Sequence, residues 1–80
     1  MIFIDSPADL GTSIRKARKA LRLTQPQLAL AAGVGVRFIV ELEAGKPTVR
    51  LKNVLQVLGA LGGRVAVELI PLETAGREEA

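Results

Sequence analysis

The amino-acid sequence predicts a small, mostly α-helical domain of four to five helices, closed by one β-strand. Three observations carry that expectation. Apolar residues recur at steps of three and four along four separate stretches, the spacing of one face of a helix. Ser, Thr, Pro and Gly stand at the ends of those stretches, where helices start and stop. Past Gly62-Gly63 the spacing changes to alternation, the period of a strand. The chain has 80 residues, 49% of them apolar and 24% charged, which suits one globular domain and not a disordered chain.

Each element has a local reason. Residues 1–6 open with the apolar, β-prone Met1-Ile2-Phe3-Ile4 and read as a lead or short edge strand. Ser6 is a good N-cap, Pro7 suits the first helical position and Asp9 lies three residues after the cap. Leu10, Ile14, Ala17 and Leu21 then mark the inner face of a helix over about 7–21. Thr24, with Pro26 and Gln27, starts a second helix over about 25–32, which Gly33 ends. Its Leu28, Ala29, Ala31 and Ala32 present small side chains that allow close packing. The third, about 36–44, turns Ile39 and Leu42 inward and stops at Gly45, with Pro47 preventing continuation. Leu51, Val54, Leu55, Leu58 and Leu61 predict a fourth over about 51–61. In 64–70, Val65, Val67 and Leu69 alternate with Ala66, Glu68 and Ile70. Residues 71–80 read as a flexible acidic tail.

Composition excludes whole classes of chemistry. The chain has no Cys and no His, so thiolate and imidazole metal sites, Cys nucleophiles and His acid–base catalysis have no residues to work with. No catalytic residue, metal ligand or cofactor is expected, and an enzyme is not. No run approaches the ~18 apolar residues of a membrane span, and the N-terminus lacks the basic start of a signal peptide. The expected setting is cytoplasmic, with no membrane partner. Phe3 and Phe38 are the only aromatics, too few for a single-strand stacking platform.

Charge is unevenly placed. Residues 1–70 carry ten basic against five acidic side chains, a net of +5, whereas Glu73, Glu78 and Glu79 outnumber Arg77 in the last ten. A basic body with an acidic tail suits an anionic partner; an ordinary solvated surface is the alternative reading.

Two short helices joined by a tight Gly-containing turn form a helix-turn-helix arrangement at the centre of the chain. From Leu23 to Lys46 the sequence carries Thr24-Gln25 ahead of the first helix, Leu28-Ala29 within it and Ala32-Gly33-Val34 at the turn. Ile39, Leu42-Glu43 and Gly45-Lys46 follow in register. This span resembles the repressor-type, Cro-like and XRE-like helix-turn-helix family. The resemblance implies a lambda-repressor-like domain over residues 7–63 that binds double-stranded DNA. In register with that family, the DNA-binding residues are Thr24, Gln25, Gly35, Val36, Arg37, Val40, Glu41, Lys46 and Arg50. Gln25 meets phosphate or merely caps its helix. Val36 packs inward or meets a thymine methyl, and Glu41 accepts from a cytosine amine or keeps non-cognate DNA away. Arg37 meets a base edge or phosphate, or is an ordinary solvated charge; Lys46 and Arg50 sit where the family grips phosphates, with a plain loop charge the alternative for Lys46. Arg18 and Glu43 are implied as a structural ion pair holding the first helix against the third. Arg15, Lys16, Lys19 and Arg22 read as a solvated face, with a secondary phosphate contact near Arg22. Phe38, one position from the core edge at Ile39, is expected to pack, the alternative being an exposed partner contact.

A narrower resemblance runs from Leu10 to Leu69. Leu10-Gly11, Ile14-Arg15, Arg18, Arg37-Phe38-Ile39, Gly45-Lys46-Pro47-Thr48-Val49 and Leu58-Gly59-Ala60-Leu61-Gly62 are similar to the HipB-like antitoxins. That similarity implies a homodimer that represses its own operon from palindromic operators and restrains a HipA-like kinase toxin. Dimerisation is also expected on physical grounds, because a solitary strand leaves its N–H and C=O groups unpaired and a chain this small has a marginal core. Pairing 64–70 between two copies would bury Val65, Val67 and Leu69; a hairpin with residues 2–4 is the alternative. Two features depart from the family. Gly35 stands where Ser or Thr usually opens the third helix, and that helix offers no Asn or Gln for adenine.

Overall fold

Four helices, α1 (Pro7–Ala20), α2 (Gln25–Ala32), α3 (Val36–Glu43) and α4 (Leu51–Ala60), follow one another along the chain. The structure is a computed structural model that describes residues 1–70, so the acidic tail at 71–80 lies outside the described residues. The helices form within one residue of where periodicity and caps predict them.

The caps explain the boundaries. Ser6 Oγ accepts from the Asp9 amide at 3.1 Å, and Asp9 Oδ2 accepts from the Asp5 amide at 3.0 Å. Thr24 and Gln27 form a reciprocal capping box. The Thr24 amide donates to Gln27 Oε1 at 2.8 Å, and the Gln27 amide to Thr24 Oγ1 at 3.1 Å. Gly33 ends α2 at φ 74°, the left-handed conformation that a side chain disfavours. α1 closes differently, on Arg22 at φ 60°, a non-glycine residue in the same region.

α1 and α2 both pack on α3, and α4 packs on α2. Ile14, Leu28, Ala29, Ala32, Ile39, Leu42, Val54 and Val57 make the buried core. Phe38 is half-buried against it, in the packing role expected. Two details of the predicted faces change. Leu21 is exposed just past the end of α1, and Arg18 is buried on that helix instead. On α4, Val57 is fully buried while Leu51 and Leu55 face outward. Gly11 sets the α1–α3 approach: a Cβ there would stand 2.5 Å from the Leu42 carbonyl oxygen.

Residues 64–70 differ from the expectation. They form no strand, and no backbone hydrogen bond joins them to another part of the chain among the described residues. Residues 2–4 make none either, so the hairpin alternative is not formed. A strand needs a neighbour for its hydrogen bonds, and the described residues supply none here. Val65, Val67 and Leu69 are all exposed.

Candidate nucleic-acid interface

The exposed side of α3 follows from what its other side buries. Ile39 and Leu42 sink into the core, so Val36, Arg37 and Val40 face solvent. Val36 is 41% and Val40 44% exposed, and Val36 is not part of the buried core. The Arg37 side chain is 90% exposed. Gly35 opens α3 without a side-chain cap, its carbonyl accepting from the Phe38 amide at 3.1 Å. Arg50, at the N-cap of α4, is exposed.

Behind this face lies a buried ionic cluster. Arg18 Nε donates to Glu43 Oε2 at 2.6 Å and Arg18 Nη2 to Glu43 Oε1 at 3.0 Å, a two-pronged pair whose side chains are 10% and 5% exposed. Arg18 Nη1 donates to the Leu23 carbonyl at 2.8 Å. Gln25 Nε2 adds a bond to Glu43 Oε1 at 3.1 Å. Gln25 therefore does not cap α2, since Thr24 and Gln27 do, and its amide is anchored to α3. Three elements meet on one carboxylate: α1, the start of α2 and the end of α3. Burial pushes the Glu43 carboxyl up, but hydrogen bonds from Arg18 and Gln25, with the charges of Arg18 and Arg15, outweigh it and hold it below the usual value. The Glu43 bond raises the Arg18 guanidinium still higher. Among the described residues no buried side-chain nitrogen or oxygen lacks a partner.

A second, exposed cluster sits on α3 itself. Glu41 Oε2 lies 3.4 Å from Arg37 Nε, one turn earlier, and Oε1 lies 3.3 Å from Lys46 Nζ. The Lys46 bond, with help from Arg37, holds the Glu41 carboxyl below its ordinary range. The structure thus joins Arg37, Glu41 and Lys46 in one network and anchors Gln25 separately, through Glu43.

Two residues of the solvated face expected on α1 lie beside this one, a placement the sequence did not give. Arg15 and Lys19 line an open hollow of about 410 Å³ with Gln25 and Val40, which places them next to α3. Their i,i+4 spacing on one side of α1 was the available signal.

The helix-turn-helix family model matches residues 14–66. The chain belongs to the helix-turn-helix family. It is 58% identical over 59 residues to an uncharacterized HTH-type transcriptional regulator, y4mF, of Sinorhizobium fredii (strain NBRC 101917 / NGR234). That match covers 74% of this chain and 78% of the relative. The fold is also that of a chain in a HipA–HipB–O2–O3 complex, with a TM-score of 0.79 at 21% identity, over 89% of this chain and all of that one. The helix-turn-helix membership makes this protein a DNA-binding regulator and not an enzyme. Among the described residues, no helix is long and apolar enough to cross a membrane.

Proposed function

We propose that this protein is a sequence-specific transcriptional repressor that binds palindromic operators as a homodimer, and that it is the antitoxin of a HipA-like kinase, autoregulating its own operon in the cytoplasm. The observation that carries the DNA reading is the α3 face: Val36, Arg37 and Val40 exposed, with Lys46 held to Glu41, on a helix fixed from behind by Ile39, Leu42 and Glu43. A helix presented this way fits a major groove about 12 Å wide. Arg37 reads base edges or phosphate, Val36 and Val40 meet apolar base edges, and Gly35 offers its N–H to phosphate together with Thr24 and Gln25. Lys46 and Arg50 hold the backbone.

The homodimer reading rests on 64–70. These seven residues belong to no helix or strand, and Val65, Val67 and Leu69 are exposed. Pairing with a second copy would satisfy the backbone and cover these side chains. Two-fold symmetry would then set the two α3 helices about 34 Å apart, one helical turn of DNA. The antitoxin reading draws on the HipB-like motifs and on the fold shared with a chain of the HipA–HipB–O2–O3 complex. A second reading, a protein-interaction module or stand-alone regulator without a toxin partner, is favoured by the uncapped Gly35 and the apolar Val36 and Val40.

Fluorescence anisotropy with the DNA upstream of this protein's gene, against a scrambled duplex and over a range of salt, tests the proposal. A preference of about 10³ or more for the upstream DNA is expected. Equal, weak binding to both duplexes overturns it in favour of the interaction module. A kinase encoded by the adjacent reading frame, co-eluting with this protein in size-exclusion chromatography, is the expected result for the antitoxin role. No complex with that product leaves the stand-alone regulator.

A further inference from the structure

Two of the cations at the exposed face of α3, Arg37 and Lys46, are already engaged, and by the same group. Glu41 accepts from Arg37 with one carboxylate oxygen, at 3.4 Å, and from Lys46 with the other, at 3.3 Å. Arg37 comes from the first turn of α3 and Lys46 from beyond its end, just after Gly45. The carboxylate therefore lies between them, on the side of the helix that faces solvent.

These contacts are long, and the Arg37 and Lys46 side chains are 90% and 44% exposed. Pairs of this kind are weak and exchange readily for other partners. A DNA phosphate takes Arg37 or Lys46 by displacing Glu41, whose carboxylate is then left beside a polyanion. That penalty is the same on any sequence. A cytosine amine in the major groove is one group that can offset it, by donating to the freed carboxylate.

We propose that Glu41 is a specificity-determining gate: it holds Arg37 and Lys46 in the free protein and penalises DNA that offers phosphates without a matching base edge. The proposal rests on the DNA-binding reading above. It assigns Glu41 a role by exclusion, which neither a base-reading residue nor an ordinary helix-surface pair would have.

The test compares wild type, Glu41→Gln and Asp5→Asn on the upstream duplex and the scrambled duplex, with salt varied. Asp5 is exposed and precedes α1, so its replacement removes the same charge from outside α3. The three charges Arg37, Glu41 and Lys46 sum to +1, and Glu41→Gln raises them to +2. Affinity for the scrambled duplex should rise about five-fold, and its log–log salt slope should steepen by about 0.9, one more phosphate neutralised. Affinity for the upstream duplex should rise less, so the preference falls. Thermal melting of the variant should match wild type. Unchanged scrambled-duplex affinity and slope overturn the gate. So does a selective loss of upstream binding, which would make Glu41 a base reader, or an equal effect from Asp5→Asn, which would make it a matter of net charge. If wild type itself shows no preference between the duplexes, the DNA reading has failed and the gate with it; the wild-type curves alone show this.

Discussion

Replacing Gly11 by alanine tests how closely α1 and α3 approach. The added methyl group would lie 2.5 Å from the Leu42 carbonyl oxygen and 2.7 Å from that of Glu43. Both are backbone atoms at the end of α3, so no rotamer change relieves the clash. Ordinary carbon contacts begin near ~3.5 Å, and the helices would have to separate by nearly the difference. Overpacking of this kind costs about 1–3 kcal/mol. The separation also strains the Arg18–Glu43 pair, whose rupture on its own would cost about 3–5 kcal/mol. Alanine returns about 1 kcal/mol through its better helix propensity. The net expectation is a loss of about 2 kcal/mol, which in a domain this small lowers the Tm by about 8–16 °C. Gly59→Ala is the matched control. It makes the same change inside α4, where nothing lies within 4 Å of the new methyl, and should raise stability by up to about 1 kcal/mol. Thermal and urea unfolding followed by circular dichroism reads both. A Gly11→Ala protein that melts at or above wild type would refute the close-approach argument.

Three further outcomes are expected. Arg37→Ala should cost about 1–3 kcal/mol on the upstream DNA and relax base preference there; an equal loss on upstream and random duplexes, by anisotropy, would contradict base reading. Val67→Asp places a charge in the proposed pairing segment and should leave a monomer in sedimentation equilibrium, whereas a dimeric variant would sink the strand-pairing idea. Glu43 sits below its unfolded pKa, so the native state binds fewer protons than the unfolded chain in the acid range. Its contribution is fully present above the usual carboxylate pKa and is lost as pH falls through that value toward the folded one. Urea midpoints should therefore drop on acidification, and Glu43→Gln should flatten the curve; an unchanged slope in that variant would count against the assignment.

Much of the fold is legible because its signals are local. Ser6-Pro7, Thr24 with Gln27, and Gly33 each act within a turn of themselves, and the helices begin and end there. The register of Ile39 and Leu42 likewise fixes which side of α3 is outward. What sequence left hidden depends on distance in space. Gly11 looks like a weak spot in a helix until the carbonyls of α3 are seen beside it. The Gln25–Glu43 bond joins residues 18 apart in the chain, and no spacing rule predicts it. The Arg37–Glu41 pair was readable from its i,i+4 spacing, but the Lys46 contact depends on how the chain turns after Gly45. Leu21 was misplaced because the helix ends before it, leaving Arg18, paired with Glu43, as the buried residue. The alternation in 64–70 is plain in the sequence, yet a strand is a relation between two segments, and none pairs with this one among the described residues.

On the proposed DNA-binding role, the brevity of α3 limits how much sequence one copy of the chain can read. Eight residues span about 12 Å at 1.5 Å per residue, a length that faces three or four base pairs at ~3.4 Å each. So short a word recurs throughout any chromosome, against about 10⁶–10⁹ competing positions. A single copy of this chain therefore carries too little information to single out one promoter, however well its side chains fit. The missing information has to be supplied by repetition of the word at a fixed spacing, or by the stiffness and groove shape of the DNA between repeats. Selectivity in a protein of this size is a property of the arrangement of its sites as much as of the helix that reads them.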